Sequence, residues 1–329
     1  MERISPLKRK KSRFCRNIGV CEFTWKGLGI QMKLLSFRYE GQTLFGPKVK
    51  REEAVWDLIA MAEALEQTDF PKTMIEGVSH GMDFVEEVRK LVEKTEAEGN
   101  VEQFKHAFTD IEWLSPIPRT PKNVLCVGKN YLDHAEELGS KAPEKLMIFT
   151  KSPTSIAGDE QTLPIHSEVT DSLDYEGELA VVISKTGKNI PKQLAYDYVF
   201  GYTIGNDITA RNIQSEHKQF FLGKSLDGSC PMGPYVVTKD EIPNPQNLSI
   251  VTKVNDGVRQ NGNTSNMIFK IDDLIAEISK YVTLEPGDVI LTGTPAGVGK
   301  GMTPPTYLKK GDTVKVSIEG IGTLVNRFE

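Results

Sequence analysis

The stretch Asp174-Tyr175-Glu176-Gly177-Glu178-Leu179-Ala180-Val181-Val182-Ile183 constrains this chain more than any other. Its second half is apolar and β-branched, the composition of a strand entering a core. Residues two apart on a strand share a face, so Glu176 and Glu178 stand side by side where the chain becomes buried. Two carboxylates so placed repel each other unless a cation or protons sit between them. Asp207 ends a second alternating run, Gly201-Tyr202-Thr203-Ile204-Gly205-Asn206. Three hard oxygen donors suit Mg²⁺ or Mn²⁺. From spacing alone the alternative is a solvated strand face that carries acids.

At 329 residues the chain is long enough for one large domain with a smaller appendage. A net charge of −5 gives no general reason to expect a nucleic-acid partner. No run approaches the roughly 18 apolar residues of a membrane span. The four cysteines, Cys15, Cys21, Cys126 and Cys230, match neither a disulfide framework nor a zinc site, which fits a reducing cytoplasm. Charge is uneven: residues 1–31 hold eight Lys or Arg against two Glu, and the remainder holds 32 basic and 43 acidic residues. The leader is expected to be a basic extension, either a disordered tail or a start-site artefact.

Residues 32–115 read as a small α+β module. Strand candidates at 33–39 and 43–49 are joined by Glu40-Gly41, and helical patterns cover 52–66, 71–78 and 82–97. Ser115-Pro116-Ile117-Pro118-Arg119-Thr120-Pro121 punctuates the chain as a linker. Residues 116–329 then form a second domain with many short strands, at 146–150, 178–184, 198–205, 235–237, 248–254, 288–292, 313–317 and 321–326. Helices are expected only at 131–138, 192–196, 208–215 and 271–281. The core is therefore α+β and mainly β, without the regular alternation of a doubly wound sheet.

Several motifs carry chemistry. His134 and Glu137 are three apart on a short expected helix, where a carboxylate can fix an imidazole tautomer and make a general base. Arg211 and Gln214 share a helix face, and a guanidinium can clamp a carboxylate. Lys224 stands between an aromatic stretch and a turn, placed to offset negative charge on a substrate. Its Gly-Lys-Ser triplet is not a phosphate loop, because Lys218 occupies the position of the required glycine. Thr292-Gly293-Thr294-Pro295-Ala296-Gly297-Val298-Gly299 follows a strand and could converge backbone N–H groups on a small anion, or be an ordinary glycine-rich turn. None of the five histidines forms an HExxH pair.

Together these motifs resemble the fumarylacetoacetate hydrolase superfamily. Gly128-Lys129-Asn130-Tyr131 with His134, Asp174 to Leu179, Gly205 to Arg211, Gly223-Lys224-Ser225 with Cys230 to Pro234, and Thr292 to Gly299 occur in the family's order. The resemblance implies a mixed β-sandwich roll assembled as a homodimer. It implies Glu176, Glu178 and Asp207 as ligands of Mg²⁺ or Mn²⁺, and a His134–Glu137 dyad on a lid. It implies Lys224 as the active-site lysine, with Arg211, Gln214 and Thr294 contacting substrate. The leading module looks like that of bacterial oxaloacetate decarboxylase-like members. The expected reaction is therefore C3–C4 cleavage of a small 2-oxo acid through a metal-stabilised enolate, foremost decarboxylation of oxaloacetate to pyruvate and carbon dioxide. The alternatives are an acylpyruvate or fumarylpyruvate hydrolase, a 2-hydroxyhepta-2,4-diene-1,7-dioate isomerase and, more remotely, a non-catalytic interaction protein.

Overall fold

The computed structural model describes residues 32–99 and 101–329, which fall in one compact unit. The basic extension expected at 1–31 lies outside the described residues. The first hairpin is β1 (Lys33–Tyr39) and β2 (Gln42–Pro47), paired Tyr39 to Gln42. Its two turn residues, Glu40 and Gly41, both have positive φ, 48° and 81°. That backbone matches the right-handed twist of the flanking strands, which is why a glycine serves there.

One expected helix was misplaced at its start. Residues 54–56, inside the 52–66 pattern, form a short strand, Ala54–Trp56, paired with Lys105–Ala107. Asp57 then caps the helix, its carboxylate accepting from Ile59 N and Ala60 N at 3.0 Å each, so α1 runs only over Leu58–Ala64. The helices α2 (Met74–Ser79) and α3 (Met82–Glu98) follow close to expectation. Thr73 and Glu76 close a capping box at the start of α2.

The remaining chain supplies most of two sheets. It contributes β3 (Val124–Gly128), β4 (Met147–Lys151), β5 (Gly177–Ile183), β6 (Val199–Asn206) and β7 (Cys230–Thr238). Further on lie β8 (Ser249–Val254), β9 (Gly257–Asn263), β10 (Val289–Leu291), β11 (Thr313–Ile318) and β12 (Gly322–Phe328). The larger sheet has the order β2-β1-β7-β6-β5-β10-β3-β4, mixed because β10 and β3 run parallel. The smaller runs β9-β8-β11-β12 and ends on the short strand Thr162–Leu163. The leading strand β1 lies inside the larger sheet, paired with β7.

Every residue of β5 and β6 is buried. Both strands are flanked by neighbours and covered on both faces, so their sequences run apolar instead of alternating. The smaller sheet packs on this centre, with Thr252, Gln260 and Val316 crowding the α-carbon of Gly177. One continuous cluster joins Leu179 and Val181 with Ile250, Val316 and Leu324. The last helix, α7 (Ile271–Tyr281), buries Ile271, Leu274, Ile275 and Ile278, a single stripe at helical spacing. The result is the α+β, mainly β sandwich with a small α+β leading module that the sequence implied.

Candidate active site

The site is made by the register of two central strands. β5 and β6 are antiparallel, with Gly177 opposite Asn206 and Glu178 opposite Gly205. The entrance of β5 therefore lies beside the exit of β6, and Glu176, Glu178 and Asp207 meet there. Backbone bonds lock the junction: Asp207 N donates to Glu176 O at 2.8 Å, and Glu176 N donates to Asn206 Oδ1 at 2.9 Å. Each acid offers an oxygen, and the three oxygens lie within 4.8 Å of one another. The three residues are 5%, 2% and 0% exposed, which removes the solvated-face alternative.

Three cations surround the acids. Lys224, at the end of α6 (Phe221–Lys224), places Nζ 2.8 Å from Glu176 Oε2 and 2.6 Å from Asp207 Oδ2. Arg211, first residue of α5 (Arg211–Glu216), reaches Glu176 Oε1 at 2.7 Å. Lys151, the fully buried last residue of β4, sits 2.8 Å from Asp207 Oδ1 and donates to Ile208 O at 2.9 Å. Burial opposes ionisation of Glu176, but Lys224 and Arg211 outweigh it and hold its carboxyl far below the ordinary range. Burial pushes the Glu178 carboxyl up, and the adjacent Asp207 and Glu176 push it further. A divalent cation relieves that repulsion, and an all-carboxylate donor set is the kind that Mg²⁺ and Mn²⁺ prefer. The residues fit the ion.

His134 of the dyad lines the same cavity as Glu176 and Glu178. In α4 (Leu132–Glu137), His134 Nδ1 lies 2.7 Å from Glu137 Oε1. A carboxylate only accepts, so Nδ1 carries the hydrogen and the neutral ring keeps its lone pair on Nε2. Glu137 Oε2 in turn accepts from Gly297 N at 2.9 Å, docking the helix onto the glycine-rich loop.

That loop does collect anions, but they are the protein's own carboxylates. Gly293 N donates to Glu178 Oε2 at 2.6 Å, while Gly299 N and Lys300 N donate to the two oxygens of Asp174 at 2.7 and 3.0 Å. A Cβ at Gly299 would meet the Thr306 carbonyl and the Asp174 carboxylate, so only glycine allows this approach. Asp174 Oδ2 also takes Arg211 Nε at 2.8 Å, which ties the loop to the guanidinium. Thr294 donates to Gly177 O at 2.9 Å and accepts from Gln260 Nε2 at 2.7 Å. Gln214 accepts from Arg211 Nη1 at 3.2 Å.

His134, Glu176, Glu178, Arg211, Gln214, Lys224 and Thr294 all line one cavity of about 280 Å³. Glu137 stands behind His134. A larger cleft of about 1310 Å³, beside α7, contains none of these residues and no acid cluster of this kind. Chemistry, not size, marks the smaller one. Sequence reasoning missed the roles of Lys151 and Asp174. Lys151 left one signal, a charged residue closing the strand Met147-Ile148-Phe149-Thr150. The buried thiols Cys126 and Cys230 are pushed up by burial, Cys230 to about 12, and are not nucleophiles.

A buried acid triad beneath a histidine–carboxylate dyad defines a metal-binding protein of catalytic build. The chain belongs to the fumarylacetoacetate hydrolase family: the family's C-terminal domain, described as fumarylacetoacetate (FAA) hydrolase C-terminal, matches residues 123–329. It is 58% identical over 296 residues to an uncharacterized protein of Staphylococcus aureus strain USA300, covering 89% of this chain and 98% of that one. It resembles the solved fumarylacetoacetate hydrolase of Exiguobacterium antarcticum at 40% identity and TM-score 0.75, over 91% of this chain and 99% of that one. It is also similar to a 2-hydroxyhepta-2,4-diene-1,7-dioate isomerase of Mycobacterium marinum, at 30% identity and TM-score 0.67, covering 90% and 98% of the two chains. Among the described residues no helix is long and apolar enough to cross a membrane.

Proposed function

We propose that the protein is a Mg²⁺- or Mn²⁺-dependent enzyme that reacts a 2-oxo acid through its enolate, as a C–C bond hydrolase or an enol–keto isomerase. The observation that carries this reading is the buried Glu176–Glu178–Asp207 cluster, of which Glu176 and Glu178 line one small cavity with His134 and Lys224 while Asp207 lies buried against them. Bound there, a divalent ion would supply Lewis-acid stabilisation of negative charge developing on the substrate's 2-oxo oxygen. Glu176, Glu178 and Asp207 would hold it. Lys224, kept protonated because Asp207 and Glu176 outweigh its burial, adds positive potential beside the same oxygen. His134 Nε2, with Glu137 fixing the opposite nitrogen, accepts a proton from water for hydrolysis or relays one along the carbon chain for isomerisation. Docked α4 keeps bulk water from the enolate.

Oxaloacetate decarboxylation, the first expectation from sequence, uses the same enolate but needs no attacking water. The relatives' names support hydrolase and isomerase chemistry better. The His134–Glu137 pair, which can take up and hand on a proton, is also more fully used by those reactions. The homodimer implied by the family resemblance and the cytoplasmic location suggested by the cysteine usage belong to this same reading. The deciding experiment assays acetylpyruvate, fumarylpyruvate, 2-hydroxyhepta-2,4-diene-1,7-dioate and oxaloacetate in parallel with Mn²⁺ and Mg²⁺. Loss of the diketo absorbance with one equivalent of acid identifies hydrolysis, and loss without acid identifies isomerisation. Carbon dioxide release from oxaloacetate alone would replace both with decarboxylation. No turnover at confirmed metal occupancy would refute the enzymatic reading.

A further inference from the structure

The acid cluster assigns part of the cavity lining and leaves two of its lysines without a role. The ion pairs at the centre use Lys151, Lys224 and Arg211. Among the described residues none uses Lys129 or Lys300, although both line the same cavity. Both lysines are held in place by their backbones.

Lys129 leaves β3 with φ of 54°. That left-handed backbone is strained for a non-glycine residue and persists only where neighbours enforce it. Asn130 enforces it here, donating to Phe269 O at 3.0 Å and Thr292 O at 2.8 Å and accepting from Phe269 N at 2.8 Å. The Lys129 ammonium donates to Ser140 Oγ at 2.7 Å, just beyond the helix that carries His134. A hydroxyl leaves its charge uncompensated. Lys300 is anchored by its backbone N–H on Asp174. Burial, then Arg211, lowers the pKa of its ammonium, and Lys129 adds to that repulsion against the pull of Asp174 and Glu176. Two ammoniums lining one cavity, neither ion-paired to a carboxylate among the described residues, are relieved by an anion. The cavity wall beside them is apolar, with Met147, Phe149 and Phe220 present and the two phenyl rings edge-to-face at 5.7 Å. Such a wall suits a carbon chain, with charge recognised at its ends.

We propose that Lys129 and Lys300 form an anion subsite for the second carboxylate of a dicarboxylic 2-oxo acid, selecting substrates by the charge they carry beyond the 2-oxo-acid end. This rests on the reading that the acid cluster chelates the 2-oxo-acid end through a divalent ion. A neutral-tailed acylpyruvate would leave both ammoniums unpaired; a dicarboxylate pairs them. The two lysines are positioned for binding and take no part in bond making.

The test is calorimetric titration of the Mn²⁺-loaded full chain with length-matched acids. Oxalate probes the metal end alone. The pairs 2-oxoglutarate with 2-oxopentanoate, and 2-oxoadipate with 2-oxohexanoate, differ only in the far carboxylate. In the wild type at least one dicarboxylate should bind about tenfold tighter than its partner, the size of one added charge-assisted hydrogen bond. Lys300→Met and Lys129→Met should each shrink that ratio, and the double variant should bring it near unity, while oxalate affinity stays. Equal affinities within both pairs in the wild type, or a preference unchanged in the double variant, would overturn the subsite. Failure of oxalate to bind the metal-loaded wild type would instead overturn the chelation reading beneath it.

Discussion

Glu178 and His134 line the same cavity, yet their loss separates metal binding from proton transfer. Glu178→Gln removes a charged ligand and should weaken Mn²⁺ binding by at least the roughly 10–100-fold seen when even a ligand's supporting partner is lost. Turnover should fall with occupancy. His134→Ala should leave Mn²⁺ binding near wild type and lower turnover by roughly 10²–10⁴, the range of a lost general base. Metal titration beside steady-state kinetics checks both, and equal metal loss in the two variants would contradict the assignment. Lys151 presents a different case. It is the buried counter-charge of Asp207, so Lys151→Met leaves that carboxylate with one cation fewer. Breaking a buried pair costs about 3–5 kcal/mol, because the remaining charge stays desolvated. A bound dication supplies compensating charge, so the loss of unfolding stability should be smaller in saturating Mn²⁺ than in chelator. An equal drop under both conditions would show that Lys151 is not acting through charge.

At the scale of elements, the loop from Thr292 to Gly301 does the joining. It holds Glu178 through Gly293, Glu137 through Gly297 and Asp174 through Gly299 and Lys300. Gly299→Ala forces a Cβ against the Thr306 carbonyl and the Asp174 carboxylate, so the loop must move. The expected cost is about 1–3 kcal/mol, the usual range for overpacking. Because the displaced loop also docks α4, turnover should fall while the affinity of the acid cluster for Mn²⁺ holds within a few-fold. Full turnover at full metal occupancy would show that the dyad works without the loop. The glycines of this loop were readable from sequence, and so was their capacity to converge N–H groups on an anion. Which anion was not, because Asp174 is 125 residues from Gly299 and its partner exists only in the fold. The acids behaved differently: Glu176 and Glu178 share a strand entrance, and local alternation sufficed to pair them. Ala54–Trp56 failed for the opposite reason. Its helical pattern was local, and pairing with Lys105–Ala107 overrode it, leaving the Asp57 cap as the true start signal.

At the scale of the molecule, the two sheets meet at the segment 158–160, where a buried acid couples stability to pH. Asp159 is 5% exposed, faces the α-carbon of Gly233 on β7 and accepts from Val325 N of β12 at 2.7 Å. Burial pushes its carboxyl up to about 7, with Glu160 adding to the push and the Val325 and Glu160 N–H groups opposing it. The unfolded chain restores the ordinary value of about 3.9. The folded state therefore binds more protons than the unfolded state between these values, and the slope of stability against pH is negative there. The contribution is fully present below about pH 4 and is lost as pH rises towards about 7. At 1.36 kcal/mol per unit the shift sets a ceiling of about 4 kcal/mol. Asp159→Asn keeps an oxygen for Val325 N and abolishes the titration. Its urea midpoint should exceed that of the wild type increasingly from about pH 4 to about pH 7, across the window that linkage defines, and level off above it. Parallel pH profiles for the two proteins would mean that Asp159 stays ionised in the fold, and that solvent or a nearby cation reaches the junction between the sheets.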